Sequence, residues 1–431
     1  MLATQYHRNV FSHAGATALG SLVQLALILI LSHLLPVTEF ASFLTAVALV
    51  GLGEMAADVG MRVHAVRLYA RDDAVPNVLG PALLAKAGYL LLLLVVVHFL
   101  PLNLLNQEQA VLAVLIAATQ PSTDPLLWFL RGKERLDVEA AVVLAWRVSS
   151  AVLLAGMAYS GSGVTALLLA WFVSNLGRSL LTWIQPALEP LRLRKGDDRD
   201  RVISLAWSVM RRAFPVGVAF IAMALYHRLG VLLLGELAEP REVAWYGAAF
   251  TLVASAGFIA TSITASSFPA LSRAIETGEW EDAGTVARRK LRWIGTVFFP
   301  LCLVTALLAP FLVYILYPDS YAPAARVMVE LLPGLYISTI NLALKFILNA
   351  LDRNFADITS VVGGIAFFVA TLVLFPSSNL PLLAGLAWSL GEFLIFSIKW
   401  LVLMRDGRIR GLLLGWHALG FAALLFVLHA L

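Results

Sequence analysis

The chain has 431 residues, of which 60% are hydrophobic and only 13% charged, with a mean hydropathy of +0.85. Soluble domains run about 45–50% apolar and about 25% charged, so this composition describes a polytopic membrane protein and excludes a large water-soluble domain. A formal charge of +4 is too small for a nucleic-acid-binding surface, and a single cysteine, Cys302, excludes an intrachain disulfide and any Cys/His metal spacing.

A membrane span takes about 20 mostly apolar residues. In chain order the predicted spans are 11–34, 41–61, 78–100, 108–130, 138–159, 164–185, 206–235, 243–270, 291–316, 326–350, 356–376, 381–403 and 411–430. The first begins near Val10, is too long for the apolar part of a signal peptide and lacks a small-residue cleavage site after it, so it reads as an uncleaved span. Connections on one side are short ("PVTEF", "SGSG", "FPSSNLP"), which leaves no room for a catalytic external loop. On the other side the longest are 186–205, rich in charge, and 272–290, which reads either as an amphipathic helix on the membrane surface or as a solvated linker. The last segment, 411–430, contains three glycines and two histidines and reads as a span, with a re-entrant or interfacial segment as the alternative.

Basic residues collect on alternate connections. Arg8, Arg62, Arg67, Arg71, Arg131, Lys133 and Arg135 begin the series, and it continues through the 192–212, 273–292, 353 and 405–410 clusters to 23 of the 31. The opposite connections hold only Arg241 and Arg326. Positively charged loops stay in the cytoplasm, which predicts a cytoplasmic N-terminus.

The charged segment in mid-chain divides the sequence into a six-span bundle (1–188), a linker (189–205), a second six-span bundle (206–404) and an additional C-terminal segment (405–431). Between "TEFASFLTAVALV" and "REVAWYGAAFTLV" a pattern recurs at a shift of about 200 residues, aligning Glu39 with Glu242, Phe43 with Tyr246 and Ala46 with Ala249. The shift equals an even number of spans, so the two bundles are expected to be parallel repeats, an architecture used by transporters that bind substrate between their halves. The predicted fold is therefore all-α and polytopic.

Six basic residues remain inside the predicted spans: Lys86, Arg147, Arg178, Arg228, Lys345 and Lys399. Lys399 lies about one turn from the interface and can snorkel; Lys345 is a weaker instance of the same. Lys86, Arg147 and Arg178 lie about two turns deep, and Arg228, in "ALYHRLGVLLLG", is deepest. A guanidinium at the bilayer centre costs about 2.5–3.5 kcal/mol or more and normally faces a bundle interior or watery cavity. The acids within spans are Glu54, Asp58, Asp124 and Glu392. Each cation is thus either half of a buried salt bridge or part of an anion-binding cavity. A surplus of cations favours the cavity and a phosphate or diphosphate group, which guanidinium binds bidentately.

Glu54, Asp58 and Arg62 share one helical face, and Glu54 either pairs with Lys86 or carries a proton. His227 titrates near neutral pH or bonds a neighbouring helix. With Asp124 and Glu392, these make Glu54, Asp58 and His227 the candidates for ion coupling. In "TQPSTDPLLWFLRG", Pro121 and Pro125 remove backbone donors and predict a kink, with Gln120, Ser122, Thr123 and Asp124 available to satisfy the freed carbonyls or line a cavity. No phosphate loop, GxSxG elbow, HExxH helix or CxxC pair is present. No enzymatic activity, metal or cofactor is expected, and transport would draw on an ion gradient, the membrane potential or substrate flux.

The stretch "MRRAFPVGVAFIAMALYHRLGVLLLGELAEPREVAWYGAAFTLVASAGFIATSITASSFPALSR" (210–273) resembles polysaccharide flippases of the multidrug/oligosaccharidyl-lipid/polysaccharide exporter superfamily. "LLPVTEFASF", "AADVGMRVHAVRLYAR", "WFLRGKERLD" and "YPDSYAPAARVMVELLPGLY" are similar to other segments of that family in the same order, over most of residues 10–404. The resemblance implies a MATE-like, V-shaped pair of six-helix bundles around a cationic cavity. It implies flipping of an undecaprenyl-diphosphate-linked oligosaccharide across the bacterial inner membrane, with membrane lipids around it and polysaccharide polymerase and chain-length machinery as partners. A monomer is expected, and nucleic acid is not. The basic residue that the family places in its cavity matches Arg228, while the Asp that many members carry two residues later is Gly230 here. By the charge reading, Arg147, Arg178, Lys86 and Lys345 join Arg228 as substrate-binding candidates. The alternatives within the superfamily are an ion-coupled multidrug exporter, which calls for a net acidic cavity, and a peptidoglycan-precursor flippase, which usually has one span more. A membrane glycosyltransferase and a non-transporting scaffold are the alternatives outside it.

Overall fold

A computed structural model describes residues 2–58, 102–185, 199–375, 377–406 and 414–430, with positions 65, 66, 69 and 95. Among these residues the regular structure is twelve α-helices and one short 3-10 turn. In chain order the helices are α1 (Leu2–Leu34), α2 (Val37–Asp58), α3 (Gln107–Gly132), α4 (Leu136–Tyr159), α5 (Val164–Trp183), α6 (Arg199–Leu237), α7 (Pro240–Glu276), α8 (Trp280–Leu316), α9 (Ala324–Ala350), α10 (Asn354–Leu374), α11 (Leu380–Asp406) and α12 (Leu414–Ala430). Each predicted span within the described residues falls on one of them; the span at 78–100 lies outside them, apart from Val95. Nine of these helices are long and apolar enough to cross a membrane. In lipid the backbone has no water to bond to, which is why such sequences resolve into uninterrupted helices.

Helix ends are set by local chemistry. Asn106 caps α3: its side chain accepts from the Gln109 amide at 2.8 Å, and its own amide donates to Gln109 Oε1 at 3.2 Å. Glu39 and Glu242 occupy the same position, third residue of α2 and of α7, and the residues aligned after them, Phe43, Ala46, Tyr246 and Ala249, are all buried. The segment 272–290, expected as a surface helix or a solvated linker, is helical on both sides of a short turn. α7 runs on to Glu276 and α8 starts at Trp280, with a turn of three residues between them. There Gly278 adopts φ 78°, the Gly278 amide donates to the Ile275 carbonyl and the Glu279 amide to the Ala274 carbonyl. That pattern is a Schellman stop, which needs a residue at ease in the left-handed region. α12 is one continuous helix of 17 residues, shorter than the about 20 of a straight span.

Contacts divide the chain into two compact units, Met1–Arg228 and Leu229–Leu431, the boundary falling inside α6. Within the first unit α1 packs on α4, α2 on α3, and α5 on both α3 and α4. Within the second, α9 is the most enclosed helix and contacts α7, α8, α11 and α12. The charged linker expected at 189–205 lies outside the described residues up to 198, and from Arg199 the chain is helical.

Candidate functional site

The first unit holds a polar seam between α3 and α5. Thr119, Gln120, Thr123 and Asp124 lie on one face of α3, and Asn175, Arg178 and Ser179 on the facing stripe of α5. Asn175 donates to Thr119 Oγ1 at 3.0 Å, the Thr123 and Ser179 hydroxyls are 2.9 Å apart, and Arg178 Nη1 donates to Gln120 Oε1 at 2.8 Å. Small hydroxyls and amides hold membrane helices together where apolar contacts give no advantage over lipid. α3 passes Pro121 and Pro125 as one helix, and of the residues expected there to serve a kink, Gln120, Thr123 and Asp124 belong to this seam. The side chain of Ser122 lies outside the described residues.

The seam forms one wall of a cavity of about 340 Å³ within the first unit, lined by residues of α1 to α5. Arg178 is 6% exposed and is the hub of that wall. It bonds Gln120, stands 3.7 Å from Asp124 Oδ1 through Nη2, and stacks its guanidinium over the Trp146 ring at 4.6 Å. Gln120 passes the connection on by donating its amide to Glu54 Oε1 at 2.7 Å, so an amide stands between Arg178 and Glu54, while Asp124 faces the guanidinium directly. At another edge Arg131 Nε donates to both carboxylate oxygens of the buried Glu139, at 2.7 and 2.9 Å. Arg147 is different. Its Nη1 is buried and has no hydrogen-bond partner among the described residues, and the side chain lies over buried Gly20 of α1, where a Cβ would meet its Cδ and Nη1 at under 3 Å. An unsatisfied buried donor costs about 1–3 kcal/mol, so Arg147 Nη1 stands in the cavity wall at an energetic cost.

Arg228 of α6 uses the same device. Its guanidinium lies over Gly51 of α2, where a Cβ would meet Nη2 at 2.9 Å, and it is within electrostatic reach of Glu54. His227 beside it turns back on its own helix, donating Nδ1–H to the Met223 carbonyl at 2.8 Å. Gly230, where many relatives are expected to carry Asp, packs against the Tyr246 ring so closely that any side chain would overlap it.

The structure therefore gathers Glu54, Asp124, Arg147 and Arg178 around one cavity, with Arg228 next to Glu54. Lys86 lies outside the described residues, as does the side chain of Asp58, which closes α2. The expected excess of cations does not hold among the described lining residues: Arg131, Arg147 and Arg178 face Glu54, Asp124 and Glu139. Glu139, at the start of the predicted span 138–159, is not among the acids singled out from the sequence.

Lys345 and Glu392 sit elsewhere, in a buried cluster of the second unit. Lys399 Nζ lies 2.6 Å from Asp357 Oδ1, and Lys345 Nζ lies 4.0 Å from Asp357 Oδ2. Asn341 donates to Glu392 Oε2 at 2.7 Å and to its backbone carbonyl at 2.9 Å. Lys399, read as a snorkelling residue, is wholly buried. The organising carboxylate is Asp357, which the sequence reading does not single out: it stands in the first turn of α10, and its burial shows that it turns inward.

No curated protein matches the chain by sequence. Among solved structures, the chain resembles a lipid II flippase, MurJ, in an inward closed conformation (10% identity, 97% of this chain and 98% of that one, TM-score 0.67) and a eukaryotic MATE transporter, AtDTX14 (14% identity, 97% and 100%, TM-score 0.64). It also resembles a MOP superfamily transporter from Pyrococcus furiosus described as having a binding pocket of reverse polarity (15% identity, 94% and 96%, TM-score 0.54). At these identities the likeness is one of fold. The MatE family model matches residues 215–376, and the model of the family described as polysaccharide biosynthesis protein matches residues 6–275. With more than half of its length matched, the chain belongs to the polysaccharide biosynthesis protein family, among the transporters and flippases of the multidrug/oligosaccharidyl-lipid/polysaccharide exporter superfamily.

Proposed function

We propose that this chain flips an undecaprenyl-diphosphate-linked oligosaccharide from the cytoplasmic to the periplasmic leaflet of a bacterial inner membrane by alternating access, its N-terminus in the cytoplasm. The observation that carries the reading is Arg147, whose buried Nη1 lacks a partner in the wall of a cavity that Arg178 also lines. A diphosphate supplies the acceptor oxygens that this donor lacks, and guanidinium meets phosphate with two parallel hydrogen bonds. Glu54 and Asp124 hold the resting site near neutrality, so the anion gains a full interaction only where the carboxylates do not already take the donors. In this reading Arg228 engages the diphosphate when the cycle brings the lipid to it, and Glu54 titrates as part of the coupling.

The test is reconstitution in liposomes with a fluorescent undecaprenyl-diphosphate oligosaccharide in one leaflet. Wild type should move it to the other leaflet, Arg147→Ala and Arg228→Ala should insert normally and fail to do so, and the monophosphate analogue should move more slowly. Movement of a lipophilic cation in place of the diphosphate would transfer the chain to the ion-coupled exporter reading, although the described lining, with three acids against three bases, lacks the net acidity that reading calls for. Full activity of Arg228→Ala would remove that residue from the site.

A further inference from the structure

A second hollow lies wholly within the second unit, on a different set of helices. It has a volume of about 650 Å³ and is walled by α8, α9 and α12. A smaller hollow of about 380 Å³ adjoins it and shares Arg288, Arg292 and Thr296. The shared stripe follows one face of α8. Arg288, Arg289 and Arg292 come first, Thr296 next and Phe299 last, at the three- and four-residue steps of a helix. One end is strongly basic and the other apolar and aromatic. No carboxylate is among the described residues lining either hollow.

Two further features fix its depth and rigidity. Trp293 and Trp416 stand at its rim, 48% and 69% exposed, and exposed tryptophans mark the headgroup level of a bilayer. The inner wall is preformed: the Tyr336 hydroxyl and His417 Nδ1 are 2.9 Å apart and buried, and Phe299 meets Tyr336 edge-on at 5.9 Å. Gly295 and Gly420 let α8 and α12 close on that pair, since a Cβ on either would come within 3 Å of His417 or Tyr336.

We infer that this hollow and the smaller one adjoining it together hold one anionic phospholipid, with its phosphate against Arg288, Arg289 and Arg292 and an acyl chain against Phe299 and Tyr336. Charge complementarity selects the class. A zwitterionic headgroup would bring a cation to a wall that has three and no acid to meet it, whereas basic pockets between membrane helices suit anionic headgroups. The apolar floor selects a lipid over a free anion. The site would tie the C-terminal helix α12 to α8 and α9, and it does not depend on which substrate the first unit carries.

The test uses the full chain, purified and stripped of lipid, with native mass spectrometry reading retention of phosphatidylglycerol against phosphatidylcholine. Wild type should prefer phosphatidylglycerol by about tenfold, from the attraction of the basic residues at the surface. The double variant Arg289→Gln, Arg292→Gln alters two exposed side chains and should lose that preference with phosphatidylcholine retention unchanged. Thr296→Trp fills the shared wall without touching a charge, should lower retention of both lipids, and keeps the test valid if the double variant does not fold. Equal retention of the two lipids by wild type, or a preference that survives all three substitutions, overturns the site. Displacement of phosphatidylglycerol by millimolar inorganic phosphate also overturns it, in favour of a free-anion site.

Discussion

The two units bury charge in opposite ways. In the second, Lys399 closes on Asp357 at 2.6 Å, Lys345 stands behind the same carboxylate, and Lys399 is wholly out of reach of solvent. In the first, a cavity keeps Arg147 and Arg178 at its wall, inserts the Gln120 amide between Arg178 and Glu54, and leaves Arg147 Nη1 without a partner. All of these residues look alike in the sequence, as cations within apolar runs. The difference teaches that depth in a predicted span does not reveal whether a charge is paired; the position of the counter-ion does. Residue type does not follow the division cleanly: lysine, a compact point charge, serves the closed pair of the second unit, while arginine serves both the open wall and the closed Arg131–Glu139 pair of the first.

The comparison can be broken most directly at Asp357. Asp357→Ala leaves Lys399 buried without a counter-ion and should cost about 3–5 kcal/mol of stability, read as a fall in thermal midpoint and in extractable folded protein. Joining Asp357→Leu to Lys399→Met should restore most of it. If Asp357→Ala keeps wild-type stability and loses transport instead, the second unit's cluster is functional and the contrast fails. Arg147→Ala should do the reverse. Transport of the diphosphate lipid should fall by about tenfold or more, the value of one or two charged hydrogen bonds at about 1.5–3 kcal/mol each, while the thermal midpoint holds or rises. A drop in both would class Arg147 with the lysines.

Smaller effects sharpen the same contrast. Gly51→Leu places a side chain where the Arg228 guanidinium lies, and overpacking of this kind costs about 1–3 kcal/mol. Its transport defect should resemble that of Arg228→Ala, and unchanged transport would separate Arg228 from this position. Glu54→Gln keeps the shape of the Gln120 contact. It should slow transport modestly and shift its pH profile in vesicles, and an unshifted profile would make Glu54 a structural acceptor.

The helices were legible because a bilayer demands long uninterrupted apolar runs, and every predicted span within the described residues coincides with a helix. The turn at 277–279 was not: charge and polarity in 272–290 read as a surface segment, whereas one glycine in the left-handed region lets two spanning helices run on past the apolar stretch. Arg147, Arg178, Glu54 and Asp124 were found as candidates because any ionisable residue at that depth is costly. Which of them share a wall was hidden, since it depends on how α3 and α5 rotate to mate Gln120 with Arg178. Lys345 was misplaced with the cavity because its partner, Asp357, lies one helix later and near a helix end. Gly20 and Gly51 carried a signal that was passed over: a glycine inside a long apolar helix, opposite a deep arginine, makes room for it.

The Schellman turn at Gly278 has a practical consequence. α8 alone has 37 residues, about 55 Å of helix, and a hydrocarbon core takes up about 30 Å of it. The length beyond that, with the end of α7, meets in a tight turn of three residues, 277–279, flanked by charged stretches. A small rigid domain fused into that turn would ride on two long helices, giving an orientation marker for imaging without a tag on either terminus.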